Sequence, residues 1–439
     1  MRLKKLYLGF NKIKFLLKII LVGMCIFGFN AAKANTLIES LQSAYLNNLK
    51  LNAERASMRA TKEEKRETIS EFLPSVTISG YSSEQDNTNP GADSSFSPSE
   101  QSMTIEQTIF QGGSGVANFK KKKFGQTLAE FKLKKIVQET LLEAAQAHTK
   151  LLLNRKKVNI NLINIDLLER QVETDQNRLE KGEINLTDLA QSESSLAGAK
   201  AQLIAVQNDL VTSKTNYIKI VGKKNTDNVK EVKIINLNLP KSLASAYKIS
   251  NLENPDLQIS LIEYEQSKLD VNIAYSNLSP SATLSYKIAE QDDFSATMQE
   301  RTQKTLTATA KWPLFAGGSN LFNLRKAQEL KNEKKLLFED SGKQNETDVA
   351  NAWSNYQSSK SVLDSIKSQV KAAEIANEGI TLEYESGRNR STLEVIQSRS
   401  ILLNSRINLA SSERNLLISQ FNLLSAIGRL TAKQLNLKF

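Results

Sequence analysis

Residues 305–319 read TLTATAKWPLFAGGS, where strand-like alternation runs into a Gly-Gly pair that opens a long proline-free stretch. Leu306, Ala308, Ala310 and Trp312 fall on one face; Thr305, Thr307, Thr309 and Lys311 fall on the other. That two-residue period belongs to a strand with one apolar side. About 206 residues earlier, 102–114 reads SMTIEQTIFQGGS, with Met103, Ile105 and Ile109 on one side and the same Phe-x-Gly-Gly-Ser ending.

Outward from this pair the correspondence continues. Phe72-Leu73-Pro74-Ser75 answers Leu278-Ser279-Pro280-Ser281, Gly182 answers Gly387, and Gly222 answers Gly428. Ala44-Tyr45 and Asn48 answer Ala246-Tyr247 and Asn254. Two copies are too few for a solenoid, so the chain divides into a leader (1–34), a first unit (35–227), a linker (228–240), a second unit (241–430) and a tail (431–439).

Each unit reads as helix, strand, loop, strand, long helix, turn, long helix. The first helix is expected over 36–71 and again over 241–277, each stopping before a proline as helices tend to. Residues 75–81 and 281–288 alternate as strands, paired with strands at 102–110 and 305–314. The stretches between them, 82–101 and 290–304, are polar with no core-forming pattern and read as exposed loops. Gly112-Gly113 and Gly317-Gly318 mark strand-to-helix turns, not phosphate loops, because the lysine and spacing of a phosphate loop are missing. The runs 114–180 and 319–385 contain no proline, and at 1.5 Å per residue each reaches roughly 100 Å.

Those helices carry a seven-residue seam. Val395, Leu402, Leu409, Leu416, Leu423 and Leu430 keep the spacing, and Leu189, Leu196, Leu203, Leu210 and Tyr217 repeat it in the first unit. Ser398, Ser405, Ser412, Ser419 and Ala426 follow three residues behind, small enough for close helix approach. A sustained heptad holds one stripe against a partner helix with slight supercoiling.

The formal net charge of +11, from 58 Lys+Arg against 47 Asp+Glu, suggests nucleic acid until its location is read. Residues 1–34 hold seven of the bases and no acid, so the rest carries 51 bases against 47 acids. The apolar run 19–29 is shorter than the roughly 20 residues of a spanning helix and ends in Ala32-Lys33-Ala34. This is the form of a cleaved export signal, and Cys25 is expected to leave with it. One His and one Cys exclude a disulfide framework and multi-His or Cys-rich metal centres. No catalytic set, cofactor site or metal site is expected. His148 reads as a packing or surface residue. Lys120-Lys121-Lys122-Lys123 reads as a solvated helix face near lipid headgroups or acidic partners, and Trp312 as a candidate for a membrane aromatic girdle.

Four strands cannot close a membrane barrel, whose smallest forms have about eight. Edges cannot stay open in lipid, because each unpaired backbone group there costs several kcal/mol. Closure therefore needs more than one chain: three copies would give twelve strands, two would give eight. A periplasmic coiled-coil adaptor or scaffold is the competing class, but it predicts one hairpin and no membrane strands.

The doubled Leu-Pro-Ser/Ser-Pro-Ser strand starts, the doubled Phe-x-Gly-Gly-Ser, Asn254-Pro255 and the tip segments Lys181–Asp188 and Tyr384–Gly387 together resemble the TolC family of outer-membrane efflux channels over about 36–430. The resemblance implies an α+β membrane protein in which four strands per chain contribute to a trimeric twelve-stranded barrel. A long antiparallel helical coiled-coil tunnel continues from it into the periplasm. It also implies a passive exit duct for efflux or type I secretion, with no nucleic acid bound. Its partners would be outer-membrane lipid, a periplasmic adaptor and an inner-membrane pump or ABC transporter that supplies the energy. By the same resemblance the periplasmic entrance is closed by hairpins turning at Gly182 and Gly387. Thr187, Asp188, Tyr384 and Arg390 fall where the family has linking residues, which suggests an Arg390–Asp188 gate. Glu394 and Gln397 stand where the family has two Asp residues, a departure that weakens any acidic ring.

Overall fold

The computed structural model describes residues 36–89, 92–223, 226–227, 229–230, 237–295, 298–387 and 390–437. The expected leader with Cys25, and residues 228 and 231–236 of the expected linker, lie outside the described residues.

The expected first helix of each unit is two helices. In the first unit α1 (Leu37–Asn47) and α2 (Leu49–Ser70) meet at Asn48, which is extended at φ −66°, ψ 125°. Its side chain accepts from the Leu51 amide at 3.1 Å, capping α2. In the second unit α5 (Leu243–Glu253) and α6 (Pro255–Ser276) meet at Asn254, where the following proline disfavours helical backbone. The two junctions are anchored alike. Asn48 donates to the Ile220 carbonyl at 3.5 Å and Asn254 to the Ala426 carbonyl at 2.8 Å, each across 172 residues.

Beyond the junctions come β1 (Ser75–Ser82), β2 (Gln85–Asn89), β3 (Ala92–Phe96) and β4 (Ser99–Gln111) in the first unit, then β5 (Ser281–Ser295) and β6 (Met298–Lys311) in the second. One antiparallel sheet has the order β1-β4-β5-β6, and β2-β3 form a separate hairpin. The stretches 82–101 and 290–304 are thus largely strand and not loop. Backbone pairing continues past the apolar part of the sheet, through Asp292 opposite Glu300 to Ser295 opposite Met298. Where both faces meet water, a strand no longer shows polar–apolar alternation. At the other end β6 stops at Lys311, so Trp312 stands just past it, exposed, its indole donating to the Leu278 carbonyl at 3.1 Å.

Register separates the faces. Val76, Ile105, Tyr286 and Leu306 form one row across the sheet; the next row, on the other side, is Thr77, Thr104, Lys287 and Thr305. On the apolar side Ile78 is 80% and Leu306 68% exposed, whereas Ser102 (7%) and Ala289 (3%) on the polar side are covered. The polar face is therefore the concave one.

Two hairpins hang below: α3 (Ser114–Glu180) with α4 (Leu186–Val221), and α7 (Ser319–Glu385) with α8 (Thr392–Ala426). Both first arms have 67 residues and the expected bounds. Gly113 and Gly318 begin them in the left-handed region at φ 89° and 83°, following Gly112 and Gly317, both at 60°. A side chain would be disfavoured there. In the middle of α8 the small residues are the deeper stripe, with Ser405, Ser412 and Ser419 buried and Leu402, Leu409 and Leu416 half-buried, while at its two ends Val395 and Leu423 are fully buried. The main core lies at mid-height, where Leu141 and Leu151 of α3, Leu41 of α1, Tyr217 of α4 and Phe421 of α8 pack with Leu435 and Leu437 from the tail. His148 is fully buried beside it. Lys121 and Lys122 hold Asp270 and Glu64, at 2.5 and 2.8 Å.

Candidate functional site

The hairpin tips carry the candidate site. Each second arm starts with a reciprocal cap: Asn185 with Asp188 in α4, and Ser391 with Glu394 in α8. Asp188 and Glu394 thus first serve the helix ends, where their negative charge faces the positive end of the helix dipole. Gly182 and Gly387, at φ 73° and 72°, make the turns. Thr187 and Gln397 are exposed. Arg390 pairs with Glu383 at 2.6 Å and Glu394 at 2.9 Å within its own tip. The Ser391 backbone amide, then Arg390, hold the Glu394 carboxyl below its ordinary value. Within one chain, Asp188 and Arg390 are therefore each occupied locally.

Tyr384 is the tip residue that reaches across. It is buried, and its hydroxyl donates to Asp175 Oδ1 at 2.5 Å and lies 3.1 Å from Thr392 Oγ1. Asp175, fully buried in α3, also accepts from Gln171 Nε2 at 2.9 Å and from Ser192 Oγ of α4 at 2.5 Å. One carboxylate thus draws donors from α3, α4 and α7, and through Tyr384 it reaches α8. A buried charge without such donors would be strongly destabilising. The Arg178 guanidinium sits 4.5 Å from the Tyr384 ring centre, a distance at which a cation is attracted to the ring face. Burial first, and then Asp175, push the Tyr384 phenol up, which keeps it a donor.

Asp175 was not among the residues singled out from sequence. Its signal was nevertheless present: Ala147, Asn154, Asn161, Leu168 and Asp175 step by seven and are all buried. A carboxylate on such a stripe marks a polar link. Val349, Leu363, Val370 and Tyr384 fall on the matching seven-residue stripe of α7, also buried.

Among the described residues, no group of His, Cys, Asp and Glu is placed to hold a metal ion, and no helix is long and apolar enough to cross a membrane. The sheet does have a convex apolar face, a concave polar face and edges at β1 and β6, and it stands above hairpins about 100 Å long. These features define a class of protein: an outer-membrane channel subunit that continues as a helical conduit.

The chain belongs to the outer membrane efflux protein family, whose model matches residues 40–223 and again 246–429. The outer membrane efflux protein BepC of Brucella suis biovar 1 (strain 1330) is 26% identical over 424 residues, 96% of this chain and 91% of that protein. The CmeC outer membrane channel of Campylobacter jejuni has the same fold, with a TM-score of 0.82 at 15% identity over 90% of this chain and 86% of that one. So does the outer membrane protein VceC of Vibrio cholerae, with 0.77 at 17% over 89% and 96%. The protein is an outer-membrane exit duct whose helices form a periplasmic tunnel, and the adaptor or scaffold alternative is set aside.

Proposed function

We propose that three copies of the chain close into one passive duct. The carrying observation is the four-stranded sheet, with an apolar convex face and two edges that lipid cannot leave unpaired. Pairing β1 of one copy with β6 of the next would close twelve strands around the concave polar faces, and the hairpins would assemble into the tunnel below. An inner-membrane pump or ABC transporter, reached through a periplasmic adaptor, would supply the energy for efflux or type I secretion.

The periplasmic end is the entrance, and in this reading the Asp175–Tyr384 link holds its hairpins together within each copy. The tip groups Thr187, Asp188, Arg390, Glu394 and Gln397 are exposed or half-buried in the single chain, so they are available to neighbouring copies, including for an Arg390–Asp188 pair between chains. The test is membrane fractionation followed by mass measurement in detergent. A heat-labile trimer in the outer membrane is the expected result; a soluble monomer would overturn both barrel and duct.

A further inference from the structure

Below the sheet, α2, α3, α6 and α7 stand side by side in that order. On α3, Gly115, Lys122 and Gln126 turn toward α2, and Lys121 and Gly125 toward α6. Both neighbours thus crowd one side of the helix and leave a broad free face on the other. In a curved layer the broad face is the outer one, so it continues the convex apolar face of the sheet. Helical spacing puts Val116, Lys120 and Lys123 on it, all exposed. The same spacing puts Leu321 and Arg325 on the outer face of α7, and Tyr275 and Lys268 on that of α6. On α2 it selects Ile69, Arg66, Lys62 and Arg59.

Two rows result. The upper one is apolar and exposed: Ile69, Val116, Tyr275 and Leu321, each within two residues of the helix end next to the sheet. The lower one is basic: Arg66, Lys120, Lys268 and Arg325, four to eight residues from the same ends. At 1.5 Å per residue that is roughly 6–12 Å further down, where headgroups lie beside the hydrocarbon. Arg66 is held by Glu63 at 2.8 Å and Lys268 by Glu265 at 2.7 Å. Among the described residues Arg59, Lys62, Lys120, Lys123 and Arg325 have no acidic partner. The excess holds for the whole band and not only for its outer face. The 12 residues nearest the sheet on each of the four helices hold 11 bases and six acids, and Glu71 beyond α2 is a seventh acid, a surplus of four bases. Glu106 and Lys311 at the foot of the sheet cancel, and the next acid down the outer face of α3 is Glu130, two turns below Lys123.

We infer that this band is a docking surface for anionic phospholipid headgroups of the periplasmic leaflet. The apolar row, with Trp312 beside it at the foot of β6, seats at the hydrocarbon edge, as aromatic side chains do. The unpaired bases then meet the lipid phosphates just beyond, since Lys and Arg next to a membrane-embedded segment attract anionic lipid. Both units supply the same device: Val116 with Lys120, and Leu321 with Arg325, form an i, i+4 pair repeated 205 residues apart. The band thereby fixes the height at which the duct sits in the membrane. The inference rests on the reading that the convex sheet face meets lipid, and it needs no particular number of copies.

The test is quenching of Trp312 fluorescence in the full chain, reconstituted in phosphatidylcholine vesicles that carry brominated phosphatidylglycerol or brominated phosphatidylcholine. The other tryptophan, Trp353, packs against the mid-height core, away from the bilayer. At equal mole fraction the anionic lipid is expected to associate about fivefold more tightly, and high salt to weaken the preference. Lys62→Gln, Lys120→Gln, Lys123→Gln and Arg325→Gln combined are expected to abolish it, whereas Lys120→Arg, Lys123→Arg and Arg325→Lys combined, which keep the charge, retain it. Equal quenching by the two lipids in the wild type, or a preference that survives the Gln substitutions, would overturn the lipid site and leave these bases to an acidic protein surface. A wild-type chain that inserts into neither kind of vesicle would overturn the lipid-facing sheet and the band with it.

Discussion

The Tyr384 hydroxyl donates to the Asp175 carboxylate at 2.5 Å and so joins the two hairpins across 209 residues of sequence. Ser192 and Gln171 complete the shell of the carboxylate, leaving it buried but supplied with donors from three helices. Such a link is broken at a cost when one hairpin moves against the other, because the carboxylate then loses a donor while staying out of water.

Tyr384→Phe should therefore destabilise the tips. A hydrogen bond to a charged group contributes about 1.5–3 kcal/mol, and the loss should appear as a lower dissociation temperature and a larger single-channel conductance. A double-mutant cycle with Asp175→Asn should show coupling between the two. Independent effects would remove the link from the entrance.

Arg390→Ser should act differently. Both ion pairs of Arg390 are exposed, and Glu394 keeps its capping role through the Ser391 amide at 2.8 Å. Thermal stability should change less than in Tyr384→Phe, while conductance rises if Arg390 binds a neighbouring copy. An unaltered single-channel conductance would place Arg390 outside the gate.

His148 predicts a pH dependence of stability. Its Nε2 lies 3.3 Å from the Lys230 carbonyl and so carries the proton, while Nδ1 accepts from Ser40 Oγ at 2.9 Å, with Tyr217 donating in turn at 2.8 Å. Burial pushes the ring from 6.5 down to about 4, partly opposed by the Lys230 carbonyl. Above pH 6.5 both the folded and unfolded states are neutral and the stabilisation is complete. Between 6.5 and about 4 only the unfolded chain takes up the proton, so stability falls as pH falls, by about 3 kcal/mol in total. Thermal melts of wild type and His148→Gln across this window should diverge, with the variant showing the flatter profile.

The two repeats should respond unequally to the same substitution. Gly222 and Gly428 both take left-handed backbone, at φ 77° and 80°, and Ala at either position loses about 1–2 kcal/mol for that conformation. At Gly222 a Cβ meets only the Asn47 side chain at 3.5 Å; at Gly428 it would press into the backbone of Glu253 and Asn254. That backbone is held in place, since Arg429 grips the Glu253 carboxylate at 2.6 Å and Lys134 its carbonyl at 2.6 Å. Gly428→Ala should lower the melting temperature clearly more than Gly222→Ala.

Adjacent residues on β6 test which face meets lipid. Leu306→Arg puts a charge on the apolar convex face, which costs about 2–4 kcal/mol at mid-membrane. Thr307→Arg puts it on the concave face. Outer-membrane trimer yield should drop for the first and hold for the second.

Much of the fold was legible because it is periodic. The long arms α3 and α7 contain no proline, and their Gly-Gly starts and glycine turns set their limits. The strands were visible only where one face is apolar, so the polar pairing of Glu290 with Thr302, or of Asp86 with Ser95, could not be read from alternation. The breaks at Asn48 and Asn254 have local signals in Pro255 and in the two capping side chains, but their anchoring to carbonyls 172 residues away is reported by no local pattern.

The candidate site divides in the same way. Sequence alone placed the turns at Gly182 and Gly387; the caps at Asp188 and Glu394 rest on residues three positions apart, a local signal, but they became visible only in the structure. Sequence also determined the duplication, the heptad stripes and the one-sided strands, because each is a repeat along the chain. Tertiary structure decided that Tyr384 meets Asp175 and that Val76, Ile105, Tyr286 and Leu306 share one row. Spacing along the chain fixes which face a side chain occupies, but its partner there depends on how distant helices and strands pack in register.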